Sequence, residues 1–189
     1  MKKIILLAIL YISLTTNIVM ATTPISGDVE VREIVTSNKS SQQLNFYGSS
    51  LVDGNILGIS GVASVSKDYS EAYIGPIWMP APWISLEAGV GLQQIENGSP
   101  LRYALAGWIG NSIGSLYYIR EMGADSDDWW EKLRIFANLG EFAKIGVVYE
   151  KGYDWGPIIE IPIPSSRFKI RATWHPEPNI AHFSLFFNF

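Results

Sequence analysis

The sequence predicts an all-β fold: a closed antiparallel up-and-down transmembrane β-barrel of about twelve strands (ten to twelve). Three observations carry that expectation. First, the chain ends on Ala181 to Phe189, where Ala181, Phe183, Leu185, Phe187 and Phe189 are apolar and His182, Ser184, Phe186 and Asn188 lie between them. Strand side chains alternate faces, so this segment has one fully apolar face and one mostly polar face. At the end of a soluble sheet it would be an aggregation-prone edge. In a closed barrel both its edges are paired and the apolar face meets hydrocarbon. Second, period-2 runs are common along the chain and helical periodicity is hard to find. Third, turn signals recur at short, regular spacing.

The elements follow in order. Lys2 and Lys3, the apolar run Ile4 to Leu14 and the small residue closing Val19-Met20-Ala21 read as a secretory signal over 1–21, cleaved to leave a single barrel domain over 22–189. Twelve strands are expected: Asp28–Thr36, Gln43–Leu51, Asn55–Ser66, Glu71–Trp78, Trp83–Ile95, Leu101–Ile109, Ser112–Glu121, Glu131–Leu139, Phe142–Glu150, Gly156–Ile163, Arg167–Trp174 and Ile180–Phe189. The first alternates poorly. The connections fall into two sets. One is tight or proline-punctuated (Asp53-Gly54, Met79 to Pro82, Gly110-Asn111, Gly140-Glu141, Pro164 to Ser166), and Asp-Gly and Gly-Asn tolerate the positive φ of hairpin turns. The other is often longer and acidic, including Glu96 to Pro100 and Met122 to Trp130. An even-stranded barrel places two such sets at opposite ends, with short turns toward the periplasm.

Composition narrows the function classes. The chain has no cysteine, so it carries no disulfide framework or thiolate metal site. Its net charge is −4 with both signs interspersed, which is no footprint for nucleic acid. Seven Trp and nine Tyr suit interfacial girdles, with Trp129-Trp130 the expected anchor.

With apolar sets turned outward, the alternation places Glu87, Arg102, Arg120, Lys132, Arg134, Lys144, Glu160, Lys169 and Arg171 in the lumen, together with Glu150, Arg167 and His182. A Lys or Arg at the bilayer midplane of a barrel costs about 2–4 kcal/mol, so these charges belong inside. Eight inward basic residues against three acidic ones favour anions in any pore. Twelve strands lie between barrels filled by side chains and those that leave a channel.

The chain has two histidines, His175 and His182. His182 and Ser184 lie two apart on one strand, and the pair resembles the His-x-Ser dyad of the outer-membrane lipid A deacylase family, where an acidic residue downstream completes the set. Here the five residues after Ser184 include no acid, and the alternation turns both inward rather than to the lipid-facing rim. No enzymatic activity is expected. His175, within Trp174-His175-Pro176-Glu177-Pro178, reads as a surface-loop residue without ligand spacing, so no metal or cofactor is expected. Asp125 to Asp128 lacks the glycine and distal glutamate of a calcium loop and reads as an acidic external loop.

Over residues 22–189 the chain resembles bacterial outer-membrane β-barrel proteins, through its leader, its amphipathic strands and a last strand, Ile180 to Phe189, that is similar to the insertion signal read by the barrel-assembly machinery. That resemblance implies an outer-membrane location, lipid as surroundings, the assembly machinery as partner, and a role as a narrow pore or passive membrane component. A lipid-modifying hydrolase and a secreted soluble ligand-binding barrel are the alternatives.

Overall fold

The computed structural model describes residues 25–52, 56–94, 100–123 and 127–189. The expected signal peptide, the Asp53-Gly54 turn, most of the Glu96 to Pro100 loop and Asp125-Ser126 lie outside the described residues. Twelve strands form: β1 (Ser26–Val35), β2 (Ser40–Val52), β3 (Leu57–Ser66), β4 (Ser70–Ala81), β5 (Ile84–Gln93), β6 (Leu101–Gly110), β7 (Gly114–Met122), β8 (Trp129–Leu139), β9 (Ala143–Glu150), β10 (Asp154–Pro162), β11 (Phe168–His175) and β12 (Ile180–Asn188). Each pairs antiparallel with the next, and β1 pairs with β12 to close the barrel. The closing ladder runs from Asp28↔Asn188 to Val35↔Ala181. It is locked at its end by paired hydrogen bonds between Gly27 and Phe189, at 3.2 and 3.0 Å.

Successive hairpins alternate ends. The terminal end carries both ends of the barrel and the turns after β2, β4, β6, β8 and β10; the far end carries the other six connections. Local chemistry builds the turns. Asn111 Oδ1 accepts from the backbone N–H of Ile113 (2.8 Å) and Gly114 (3.2 Å), which folds the β6–β7 turn. Gly140 takes φ +63° between β8 and β9, a conformation in which glycine meets no Cβ penalty. At Gly75 and Gly146 a Cβ would collide with the carbonyl oxygens of Ala88 and Ile135, so glycine there lets neighbouring backbones close.

The two faces separate as the alternation requires. On β11 and β12, Phe168, Ile170, Phe183, Leu185 and Phe187 lie outside with 37–52 % of their surface exposed, while Phe186, Ser184 and His182 point inward at 3–6 %. Strands of this length rise about 3.3 Å per residue and, tilted by about 40°, carry an apolar band roughly 25 Å tall. Aromatic residues rim it at both ends: Trp78 and Trp83 face outward at the terminal end, Trp155 and Trp174 at the far end. A soluble ligand-binding barrel has the reverse arrangement, with its apolar face inside, and that alternative is overturned.

The expected Trp129-Trp130 anchor is split by the pleat. Trp130 is directly opposite inward-facing Glu121, so only Trp129 faces out.

Replacing Leu185, at the middle of β12, with Arg is expected to lower folding stability in lipid vesicles by about 2–4 kcal/mol, whereas Ser184→Ala changes it far less. Denaturant titration followed by tryptophan fluorescence measures both.

Candidate functional site

The inward faces enclose a cavity of about 1140 Å³. Its lining extends from Tyr69, Asp128 and Tyr153 at the far end to Ser26, Met79 and Trp108 at the terminal end. All twelve strands contribute side chains to it or to the packed wall beside it.

That wall is built by β8 to β12 and β1, and cross-strand register makes it. Residues directly opposite on antiparallel strands share a face and meet. Arg171 on β11 is opposite Glu160 on β10, and Glu160 is opposite Lys144 on β9. Glu160 therefore serves three cations: Arg171, bonded through Nε at 3.0 Å, Lys144 at 3.6 Å and Lys169 at 3.9 Å. Lys132 is opposite Glu150 and pairs with it. On β1, Glu30 receives Arg32 twice, at 3.1 Å each, and the Asn45 amide at 2.9 Å. Rings fill the remaining space. Arg171 and Lys169 sit over Phe186, at 4.2 and 4.7 Å from the ring centre, and Arg134 over Tyr117 at 4.4 Å. Such stacking suits desolvated cations.

The opposite side is sparser. Strands β2 to β5 contribute small and hydroxylated residues, among them Ser64 and Ser85, with Tyr47 donating to Glu87 at 3.2 Å and Tyr73 to Glu71 at 3.2 Å. In a ring of twelve, β5 stands across from β11. The carboxylate of Glu87 thus belongs to the wall across from Lys169 and Arg171, and the lumen is polarised across its width.

Of the residues assigned to the lumen from sequence, Glu87, Arg102, Lys132, Arg134, Lys144, Glu160, Lys169 and Arg171 line the cavity. Arg102 lies at its far mouth, paired with Asp128. Arg120 does not line it. Leu116 and Tyr118 are directly opposite Ile135 and Leu133, which puts Leu116, Tyr118 and Arg120 on the outer face and turns Tyr117, Ile119 and Glu121 inward. Arg120 instead lies near the far rim, its guanidinium 4.8 Å from the Trp129 ring, where an arginine reaches the headgroup level. Arg167 is exposed in the β10–β11 turn and lines no cavity.

The expected basic excess is also corrected. Asp28, Glu30, Glu71, Glu121 and Asp128 join Glu87, Glu150 and Glu160, giving eight acidic lining residues against eight basic ones. The period-2 run Asp28, Glu30, Arg32 was the signal that could have revealed the β1 contribution; the equally spaced Val29, Val31, Glu33 obscured it.

His182 and Ser184 share the inward face at 4 and 6 % exposure. Ser184 is directly opposite Arg32 and Arg171 in the neighbouring strands. The barrel wall separates this pair from lipid, so the geometry a lipid hydrolase needs is not met. His175 is no loop residue: it ends β11 and is fully buried.

Glu160→Gln removes the acid shared by Arg171, Lys169 and Lys144, and the expected loss is roughly 1–3 kcal/mol, the cost of buried donors left without an acceptor. A lowered urea midpoint of the detergent-folded barrel checks it.

No protein-family model matches the chain, and no curated protein matches it. Among solved structures it is similar to KdgM porin, at 11 % identity over 86 % of this chain and 98 % of that one, with a TM-score of 0.54. It is similar to KdgM porin in complex with disordered oligogalacturonate, at 11 % identity over the same shares, with a TM-score of 0.57. A chain solved in work on the in-meso crystallisation of membrane proteins aligns at 13 % identity over 87 % of this chain and 83 % of that one, with a TM-score of 0.59. At these identities the likeness is one of architecture, and the architecture is that of the outer-membrane β-barrel class.

Proposed function

We propose that this chain is a narrow pore of the bacterial outer membrane, passing small hydrophilic solutes along a transversely polarised lumen. The observation that carries the reading is the cavity itself, lined by polar side chains from both ends of a barrel whose exterior is apolar. Spread over about 30 Å of membrane, its volume averages about 40 Å² in cross-section. That admits a hydrated ion or a solute of monosaccharide size and excludes folded polypeptides. Export follows from the 1–21 leader, insertion from the Ile180 to Phe189 strand, and the far end then faces outward.

The charge arrangement sets the selectivity. Eight acidic and eight basic lining residues give little net preference. Two of the accessible cations lie toward the terminal end, where Lys144 and Lys169 keep 44 % and 22 % of their side chains exposed. Anions would pass along that wall and cations along the side of Glu87. The fold resemblance to a porin solved with an oligogalacturonate assigns no solute to this chain.

Planar-bilayer recording of the purified barrel tests the reading. Stepwise conductance with weak ion selectivity is expected, and replacing both Lys144 and Lys169 with Glu should move the reversal potential in a salt gradient toward cation preference. Silent bilayers from protein whose gel mobility is still heat-modifiable, and therefore folded, would remove the pore while leaving the barrel.

A further inference from the structure

At the far mouth three strand ends bring together residues that the ion network does not fully use. Glu150 closes β9, His175 closes β11 and His182 is near the start of β12. Their exposures are 4, 0 and 4 %. One ligand atom from each lies within 4.8 Å of the others.

The protonation pattern of His175 is set by its neighbour. Its Nδ1 lies 3.0 Å from the Asp154 carbonyl oxygen, which only accepts, so Nδ1 carries the proton and Nε2 presents a lone pair. That Nε2 is buried without a hydrogen-bond partner among the described residues, and so is Nε2 of His182. Buried polar atoms are rarely left so. A histidine whose other nitrogen donates to a backbone carbonyl is the usual arrangement of a metal ligand. Tyr153 caps the pair, its ring 4.9 Å from His182 and 5.6 Å from His175.

We propose that Glu150, His175 and His182 bind a divalent transition-metal ion, zinc first among them. Two imidazoles and one carboxylate form a recurring three-ligand set for zinc, with bonds of about 2.0–2.2 Å and a fourth position open to water. Tetrahedral ligand atoms then stand roughly 3.4 Å apart, so side-chain shifts of about an ångström close the set. Lys132 is the competitor: its ammonium pairs with Glu150 Oε2. Metal would displace that ammonium or take the other oxygen. The site is independent of the pore reading, because it needs only the folded barrel.

Calorimetric titration of metal-free, detergent-folded barrel with zinc tests the assignment, with cobalt(II) absorption as a second readout of tetrahedral coordination. About one equivalent is expected, with a raised unfolding temperature. His175→Ala, His182→Ala and Glu150→Gln should each weaken binding by at least about tenfold while heat-modifiable mobility persists. Lys132→Met should tighten it. Equal zinc binding by the wild type and the His175→Ala/His182→Ala double variant would overturn the site, as would no uptake by the wild type at sub-millimolar zinc. Should the alanine variants fail to fold, Lys132→Met decides alone: unchanged affinity means that Glu150 is not a ligand.

Discussion

A sheet surrounded by hydrocarbon must satisfy every backbone N–H and C=O internally, and here that demand rests on one ladder, β1 against β12. Without it the sheet would have two edges. With it, the other eleven pairings form a continuous ring and each strand has one face toward lipid and one toward the lumen. The chain puts its least ambiguous strand, β12, against its least patterned, β1. Eight residue pairs from Asp28↔Asn188 to Val35↔Ala181 join them. The Phe183 to Phe187 series sets the faces of β12, and the register then dictates which side of β1 turns inward. That is why Glu30 and Arg32 enter the lumen although their own strand alternates weakly.

Closure also concentrates charge. An ionised side chain excluded from lipid has only the lumen, and antiparallel register decides which charges meet there. Lys132 with Glu150, and Glu160 with Arg171 and Lys144, are directly opposite pairs, so ladder formation itself assembles these ion pairs. They gather on one arc of the barrel because β8 to β11 each carry inward charges, while β3 carries small or hydroxylated residues.

The strand count, the hairpin parity and most inward charges were legible in the sequence because the cost of a lipid-facing cation makes period-2 alternation nearly obligatory. Legibility failed where that cost is small or where both faces look alike. In Gly114–Met122, Leu116, Tyr118, Arg120, Met122 and Ser115, Tyr117, Ile119, Glu121 each hold one charge and one tyrosine, so alternation alone could not rank them. The Leu133 and Ile135 neighbours decided it, and Arg120 lies close enough to the rim to reach water. The basic excess failed for a related reason. Glu71 and Glu121 are end residues of the strands expected over Glu71–Trp78 and Ser112–Glu121, and Glu121 shares its face with Tyr117 and Ile119, so the inverted facing of that strand hid it from the lumen.

The histidines show the other limit. His175 is embedded between Trp174 and a proline-rich turn, which reads locally as an exposed loop. Its burial comes from elsewhere: the β9–β10 turn brings Tyr153 and the Asp154 carbonyl over the mouth, and β12 brings His182 alongside, ring centres 5.1 Å apart. His175 and His182 are diagonal neighbours across the β11–β12 hairpin, where Thr173 is opposite His182 and His175 opposite Ile180, whereas Glu150 reaches them from β9, two strands from β11, and no spacing rule relates it to the pair. A site formed by convergence of strand ends can be read only once the register and facing of each contributing strand are known. The antiparallel register that turns apolar residues to the membrane therefore also places two unpartnered imidazole nitrogens beside a carboxylate.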